Sequence, residues 1–375
     1  MDKNAGDDAY RLEKGRINSR QLAFLIITTV ISTADIYQPA LVARAAGRDA
    51  WIAVIMATAA GIGIWFLCAA LARRFPRETV IQYSRRVLGP WAGGAAGLAF
   101  IIFFFFTSAS TTRMLSDIMN SAYMPATPLA VFSLSLLVVG AYTVLAGVEV
   151  LGRVNELLLP LGMATLLFVG AASLPGADFN RFLPVLENGP GPVGWAAVML
   201  AGYLGEAVII LMLFPYIVDQ EKTTAAGARA VAAVGAALQV GVLAIALFGP
   251  GVTADLTFPA LEMVRRIKLG DLITNLDILM MMVWVGGVYL KLSTIYYVTV
   301  LGLAQWLGLR DYRPLVAPLG VCMAAFSVFA YHGIDDYTAM LTDVFPGYTF
   351  VYELVLPLLL LLAAAWRGLG KKESN

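Results

Sequence analysis

Ten apolar runs, each close to the length that crosses a bilayer as a helix, occupy most of this 375-residue chain. A spanning helix takes about 20 predominantly apolar residues, whereas a barrel strand shows only about ten with alternating character. Continuous runs of the longer kind leave few options. With 59% hydrophobic and only 14% charged residues, the chain lies well outside the composition of soluble domains. The expected fold class is an all-α integral membrane protein held in the lipid bilayer, with ten transmembrane helices at 21–43, 51–72, 91–113, 128–148, 156–174, 195–218, 228–248, 272–303, 315–331 and 348–366. The expected organisation is an N-terminal tail (1–20), one transmembrane domain (21–367) and a C-terminal tail (368–375).

An even number of spans places both termini on one side. Alternating the loops puts 18 of the 26 basic residues on the face that carries the termini and 7 on the other, with Lys291 left inside a span. The positive-inside rule then makes both termini cytoplasmic. The first 20 residues are polar and mixed in charge, so no cleavable signal peptide is expected and the first span acts as its own insertion signal. Cys68 and Cys322 lie in apolar spans without metal-ligand spacing, which suits packing rather than a disulfide framework. In the outer loop after the seventh span, Phe258-Pro259-Ala260-Leu261-Glu262 suits a short surface helix, with Arg265, Arg266 and Lys268 as its solvated side.

Charge inside hydrocarbon is costly, roughly 2.5–3.5 kcal/mol per group even on lenient insertion scales, and usually marks a ligand or ion path. Three places carry it. Span one contains Ser32-Thr33-Ala34-Asp35 followed by Pro39; proline removes a backbone donor, and short polar side chains satisfy groups freed by unwinding. Two readings stand here: a helix unwound near residues 33–36, or a kinked helix with Asp35 near the outer interface. Span six contains Gly202, Gly205 and Glu206 ahead of Pro215, and Glu206 lies about 16 Å deep by the rise of a helix, near the middle of a 30 Å core. Its alternatives are a helix break at a ligand or glycine-mediated packing with a structurally paired Glu206. Lys291, in span eight, is too far from either end to snorkel out and needs an internal partner, Glu206 or Asp35. A structural ion pair and a ligand-linked one are both consistent with that.

Helix breakers at corresponding positions of the first and sixth spans are the sequence sign of a five-plus-five inverted-repeat transporter fold, with helices 1 and 6 broken and the site at the midplane. Span three adds Phe103 to Phe106 and then hydroxyl residues from Thr107 onward. The only histidine, His332, stands beside Asp335 and Asp336 and suits a solvated loop tip. No nucleophile–base pair, metal-ligand set, cofactor motif or nucleic-acid signature is assembled by these residues, so catalysis is not expected.

The chain resembles the spore germination permeases, the B subunits of nutrient germinant receptors within the amino acid–polyamine–organocation superfamily. The resemblance rests on Asp49-Ala50-Trp51-Ile52, Leu88-Gly89-Pro90-Trp91, Thr112-Arg113, Gly147-Val148-Glu149 with Arg153, Leu183-Pro184-Val185-Leu186, Glu206 with Pro215, and Trp284. It implies a LeuT-like core, residence in the spore inner membrane, a germinant ligand such as an amino acid, and assembly with the A and C receptor subunits. It also implies ligand contacts from spans one, three, six and eight: Ser32, Thr33, Ala34 and Asp35; Phe103 and Thr107; Gly202, Gly205 and Glu206; and Lys291. The chain departs from the family pattern where Ser32-Thr33-Ala34 and Asp35 replace a Gly-X-Gly-like run, and where Lys291 replaces a small polar residue. The runner-up reading is a proton-coupled amino-acid permease with Glu206 or Lys291 as the titrating group.

Overall fold

The computed structural model describes residues 12–267 and 276–370. The outer parts of both tails, with Lys3, Arg11, Lys371 and Lys372, and the loop residue Lys268 lie outside the described residues. In chain order the helices are α1 (Ser19–Ala46), α2 (Ala50–Arg74), α3 (Val80–Leu88), α4 (Pro90–Ile118), α5 (Leu129–Ala146), α6 (Val148–Ser173), α7 (Pro190–Leu204), α8 (Ile210–Leu213), α9 (Gln220–Phe248), α10 (Pro250–Asp255), α11 (Pro259–Arg266), α12 (Leu276–Leu307), α13 (Val316–Phe329), α14 (Ile334–Ala339), α15 (Phe345–Phe350) and α16 (Leu356–Trp366). Among the described residues there is no strand, only an isolated bridge between Ile17 and Ile217. Among the described residues, eight helical stretches are long and apolar enough to cross a membrane. The first of them, Ser19–Arg74, runs through both α1 and α2, and the apolar helix Arg313–Phe329 is shorter than a span.

Side-chain burial sorts the bundle into a centre and a rim. Every residue of α1 from Ser32 to Ala43 is buried, as are nearly all of α12 from Leu290 to Ala304 and the whole stretch from Gly202 to Tyr216. On α5 and α6, by contrast, Leu134, Val138, Tyr142, Leu157 and Leu167 are exposed. Large exposed apolar surface of this extent is what lipid covers.

Span one differs from the broken helix expected of it. Helix α1 runs without interruption for 28 residues, past Ser32–Asp35 and with Pro39 inside it. Its start is fixed by a capping box, in which Asn18 Oδ1 accepts from the Gln21 N–H at 2.8 Å and Gln21 Oε1 accepts from the Asn18 N–H at 3.0 Å. One proline removes one donor from the ladder. Unwinding residues 33–36 would free several more backbone groups in a region where every side chain is buried, and each would need a new partner. The helix therefore stays wound. Span six does lose its α-helical regularity where expected: α7 ends at Leu204, Gly205–Ile209 forms a 3₁₀ segment containing Glu206, α8 follows for four residues, and Phe214–Tyr216, with Pro215, is again 3₁₀.

Two boundaries move. Helix α4 continues to Ile118 and on through a π-helical turn at Met119–Tyr123, so Arg113 is not a loop cation. It is buried, pairs with Asp117 at 2.9 Å and donates to the carbonyls of Ser327 and Tyr331 at 3.1 and 2.9 Å, capping the end of α13. The last span begins at Ile334 rather than at residue 348, passing through π-helical turns at Met340–Val344 and Val351–Val355 for 33 residues in all. Cys68 is buried as a packing residue, but Cys322 is exposed on α13. The short outer helix is present as α11, where Arg265 is exposed and pairs with Glu262 at 2.9 Å. His332 is an exposed residue, its N–H donating to Asp336 at 3.1 Å.

Candidate functional site

The centre of the bundle holds a buried ion pair. Lys291 Nζ donates to Glu206 Oε1 at 2.7 Å, to Glu206 Oε2 at 2.6 Å and to Thr33 Oγ1 at 2.6 Å. An ammonium carries three donors and no acceptor, so its valence is full. Lys291 is 1% and Glu206 3% exposed. Thr33 in turn donates to the carbonyl of Val30 at 3.4 Å. The pair thus ties α1, the 3₁₀ segment of span six and α12 together, which gives Lys291 the internal partner its depth requires.

The polar residues of α1 divide by helical position. Ser32 and Asp35, three apart and so on one face, line a cavity of about 160 Å³ between α1, α6 and α12, together with Thr28, Trp284, Gly286 and Gly287, and it opens past the exposed Leu161 and Met282. The remaining walls are apolar, among them Leu159, Met163, Leu166 and Met280. Asp35 is buried, and among the described residues its carboxylate accepts one hydrogen bond, from Trp284 Nε1 at 3.4 Å. The Ser32 hydroxyl has no hydrogen-bond partner among the described residues. Thr33, rotated about 100° away, faces Lys291 instead. Ala34 is fully buried and contributes only its methyl group.

The other residues expected at the site occupy different neighbourhoods. Phe103 is stacked on Tyr352, with ring centroids 5.0 Å apart, and also touches Tyr348 and Phe104. The Thr107 hydroxyl is engaged by the carbonyl of Phe103 at 2.9 Å. Gly202 and Gly205 pack against the last span. A Cβ at Gly202 would overlap the Thr349 hydroxyl, and one at Gly205 would overlap the carboxylate of Glu353. Both glycines are there for close approach of two helices.

Glu353 is the residue that sequence reasoning missed. It is 1% exposed, it sits in the π-helical turn of the last span, and among the described residues neither carboxylate oxygen has a hydrogen-bond partner. The signal was present, since a glutamate stands in an apolar run, but a span beginning at residue 348 put it near the membrane edge. Starting the helix at Ile334 puts it in the middle.

A second polar cluster closes one end of the bundle. Glu13 accepts from Gly15 N–H at 2.6 Å and from the hydroxyls of Tyr297 and Tyr312 at 3.1 and 3.3 Å. Ile17 N–H donates to the Tyr216 carbonyl, and Val218 N–H to the Ile17 carbonyl, each at 3.0 Å. Asp219 accepts from Ser19 N–H and Oγ at 2.6 and 2.7 Å. Burial raises the Asp219 pKa, but these hydrogen bonds outweigh it and set the carboxyl below the ordinary aspartate value.

Comparison with known proteins agrees with this geometry. The Spore germination protein family matches residues 16–332. Spore germination protein KB of Bacillus subtilis (strain 168) is 26% identical over 97% of this chain and 98% of its own length. Spore germination protein XB of Bacillus anthracis is 26% identical over 96% of this chain and the whole of its own. Among solved structures, MhsT in complex with L-phenylalanine superposes with a TM-score of 0.70 at 16% identity, covering 96% of this chain and 91% of MhsT. A substrate-bound, outward-open Na⁺-coupled sialic acid symporter superposes with a TM-score of 0.64 at 12% identity, covering 93% and 81%. The fold is therefore that of LeuT-type transporters, in a multi-pass membrane protein with a permease-like architecture. By its sequence the chain belongs to the spore germination protein family.

Proposed function

We propose that this chain is the germinant-sensing B subunit of a spore germination receptor, binding a small metabolite such as an amino acid in the cavity beside Asp35. The observation that carries the reading is the contrast at the centre: Lys291 is ion-paired with Glu206, while Asp35, also buried, faces a cavity with one long hydrogen bond and no cation paired to it among the described residues. A buried carboxylate without a countercharge is strongly disfavoured. An amine on the ligand supplies that charge, the Ser32 hydroxyl offers a further polar contact, and the apolar walls take a side chain. An apolar cavity of about 150 Å³ holds a benzene-sized molecule, which sets the scale of a small ligand here. That MhsT and the sialic acid symporter hold substrates in the same fold supports a small-molecule site; the ligand class is proposed from Asp35 and the cavity.

The subunit acts by binding rather than by catalysis. Ligand preference for one conformer biases the equilibrium between conformers, tenfold for each 1.4 kcal/mol of differential affinity, and the A and C subunits read the conformer. Ten spans arranged five plus five, both termini in the cytoplasm and residence in the spore inner membrane complete the proposal; the distribution of basic residues and the family support it.

The test is binding of radiolabelled amino acids and small amines to the purified protein in liposomes. Saturable binding without concentrative uptake is the expected result, lost in D35N. Uptake driven by an imposed proton gradient and abolished by E206Q would establish the proton-coupled permease instead, a reading favoured by the transporter fold and by acids buried at mid-membrane.

A further inference from the structure

Glu353 has a second setting besides its contact with Gly205. With Met56, Gly63, Val198, Gly202 and Phe350 it lines a crevice of about 420 Å³ between α2, α7 and the last span. This crevice shares no lining residue with the Asp35 cavity. Its walls are open: Met56 is 46%, Val198 47% and Phe350 48% exposed. Glu353 lies near the middle of the 33-residue stretch Ile334–Trp366, and at that depth the medium outside the bundle is hydrocarbon. The crevice therefore opens sideways into the acyl region and ends on the Glu353 side chain, whose two carboxylate oxygens are buried and have no hydrogen-bond partner among the described residues. Lys291 makes no hydrogen bond or close ion pair with it, since its donors go to Glu206 and Thr33, and its charge reaches Glu353 only through space.

We propose that this crevice is a binding site for an amphiphilic primary amine that enters from the bilayer, its ammonium group on Glu353 and its alkyl chain along Met56, Val198 and Phe350. The apolar walls suit the chain. Three ammonium donors suit two empty carboxylate oxygens, and a charge-assisted hydrogen bond in a low-dielectric setting is among the stronger polar contacts. The site also bears on the centre of the molecule. Gly205 packs directly on the Glu353 carboxylate and the next residue is Glu206, so a head group drawn onto Glu353 acts on the 3₁₀ segment that holds Lys291. The proposal does not depend on the identity of any ligand at Asp35.

The experiment uses the full chain in phosphatidylcholine nanodiscs, with decylamine as the probe and decanol as the chain-only control. Dicyclohexylcarbodiimide, which enters through lipid, should label Glu353, as read by peptide mass. With any decylamide formed by attack of the amine on the activated Glu353 carboxyl, with release of the urea, counted as labelling, decylamine should slow the loss of the unmodified Glu353 peptide about tenfold, and decanol should leave it unchanged, because only the amine makes the charge-assisted contact. E353Q should bind decylamine about tenfold more weakly by thermal shift. Failure of the carbodiimide to reach Glu353, equal protection by decanol, or undiminished decylamine affinity in E353Q would each overturn the proposal. Because the labelling comparison is made on the wild-type chain, it decides the matter even where E353Q folds poorly.

Discussion

Glu206 and Glu353 are two carboxylates of nearly equal burial, held on spans that touch through Gly205, and they differ in everything else that matters. Glu206 accepts both its hydrogen bonds from one ammonium and ties three spans together. Glu353 accepts none. Removing a charge pair from water costs several kcal/mol per ion, which close contact and full hydrogen bonding offset; the first glutamate meets that condition and the second does not. Fold maintenance therefore falls to the pair, and sensitivity to a ligand or proton falls to the unsatisfied acids, Glu353 and Asp35.

The largest test of that division removes the pair's cation. K291M leaves Glu206 buried and unpaired and should destabilise the protein by about 3–5 kcal/mol, seen as a large drop in melting temperature in nanodiscs. Ligand response should fall more than membrane insertion does. The double variant K291M/E206M, which replaces the pair by apolar side chains of similar volume, should recover most of the loss. If K291M melts like wild type, the pair is not what holds the three spans.

A smaller effect probes the contact between the two glutamates. G205A places a methyl group where the Glu353 carboxylate lies, and overpacking of this kind costs about 1–3 kcal/mol. In an E353A background the same substitution should cost much less, because the obstructing carboxylate is gone. Additive costs in the double-mutant cycle would mean that the two spans do not press on each other at this point.

How much of this was legible follows from the same residues. The all-helical membrane fold, the depth of Lys291 and its need for an acid followed from apolar run length and the cost of buried charge, and Glu206 could be named as a partner because Gly202 and Gly205 marked an irregular segment. The break assigned to span one was not there, because Pro39 was weighed without the packing that keeps α1 wound. Glu353 was missed for a related reason: the last span was expected to begin at residue 348, whereas the helix starts at Ile334 and passes through Pro346 and Gly347 between π-helical turns. Helix ends and helix faults inside a bundle are decided by neighbouring spans, which local sequence does not contain.

D35N comes next, and it separates binding from stability. The amide keeps an oxygen for the Trp284 N–H and loses the charge, so stability should change by no more than about 1 kcal/mol. Binding of an amine-bearing ligand in the cavity should weaken about tenfold or more. Unchanged binding would move the ligand site away from Asp35.

The smallest effect is at the other end of the comparison, where the charge is exposed enough to be tuned by pH. Asp219 holds Ser19 at the start of α1 through two hydrogen bonds, and its carboxyl is set below the ordinary aspartate pKa. A group with a depressed native pKa binds fewer protons folded than unfolded in the range between the two values. Its stabilisation is therefore fully present above the ordinary aspartate value, near 4, and is lost as pH falls through the lower native value. D219N should lower stability by about 0.5–1 kcal/mol, a modest amount because Asp219 is only partly shielded from solvent. The difference in melting temperature between wild type and D219N should stay constant from pH 8 to pH 5 and shrink only below about pH 4. A difference that changed between pH 8 and pH 5 would mean that Asp219 titrates with a raised pKa and that the clasp between Ser19 and span six is itself a pH-sensitive element.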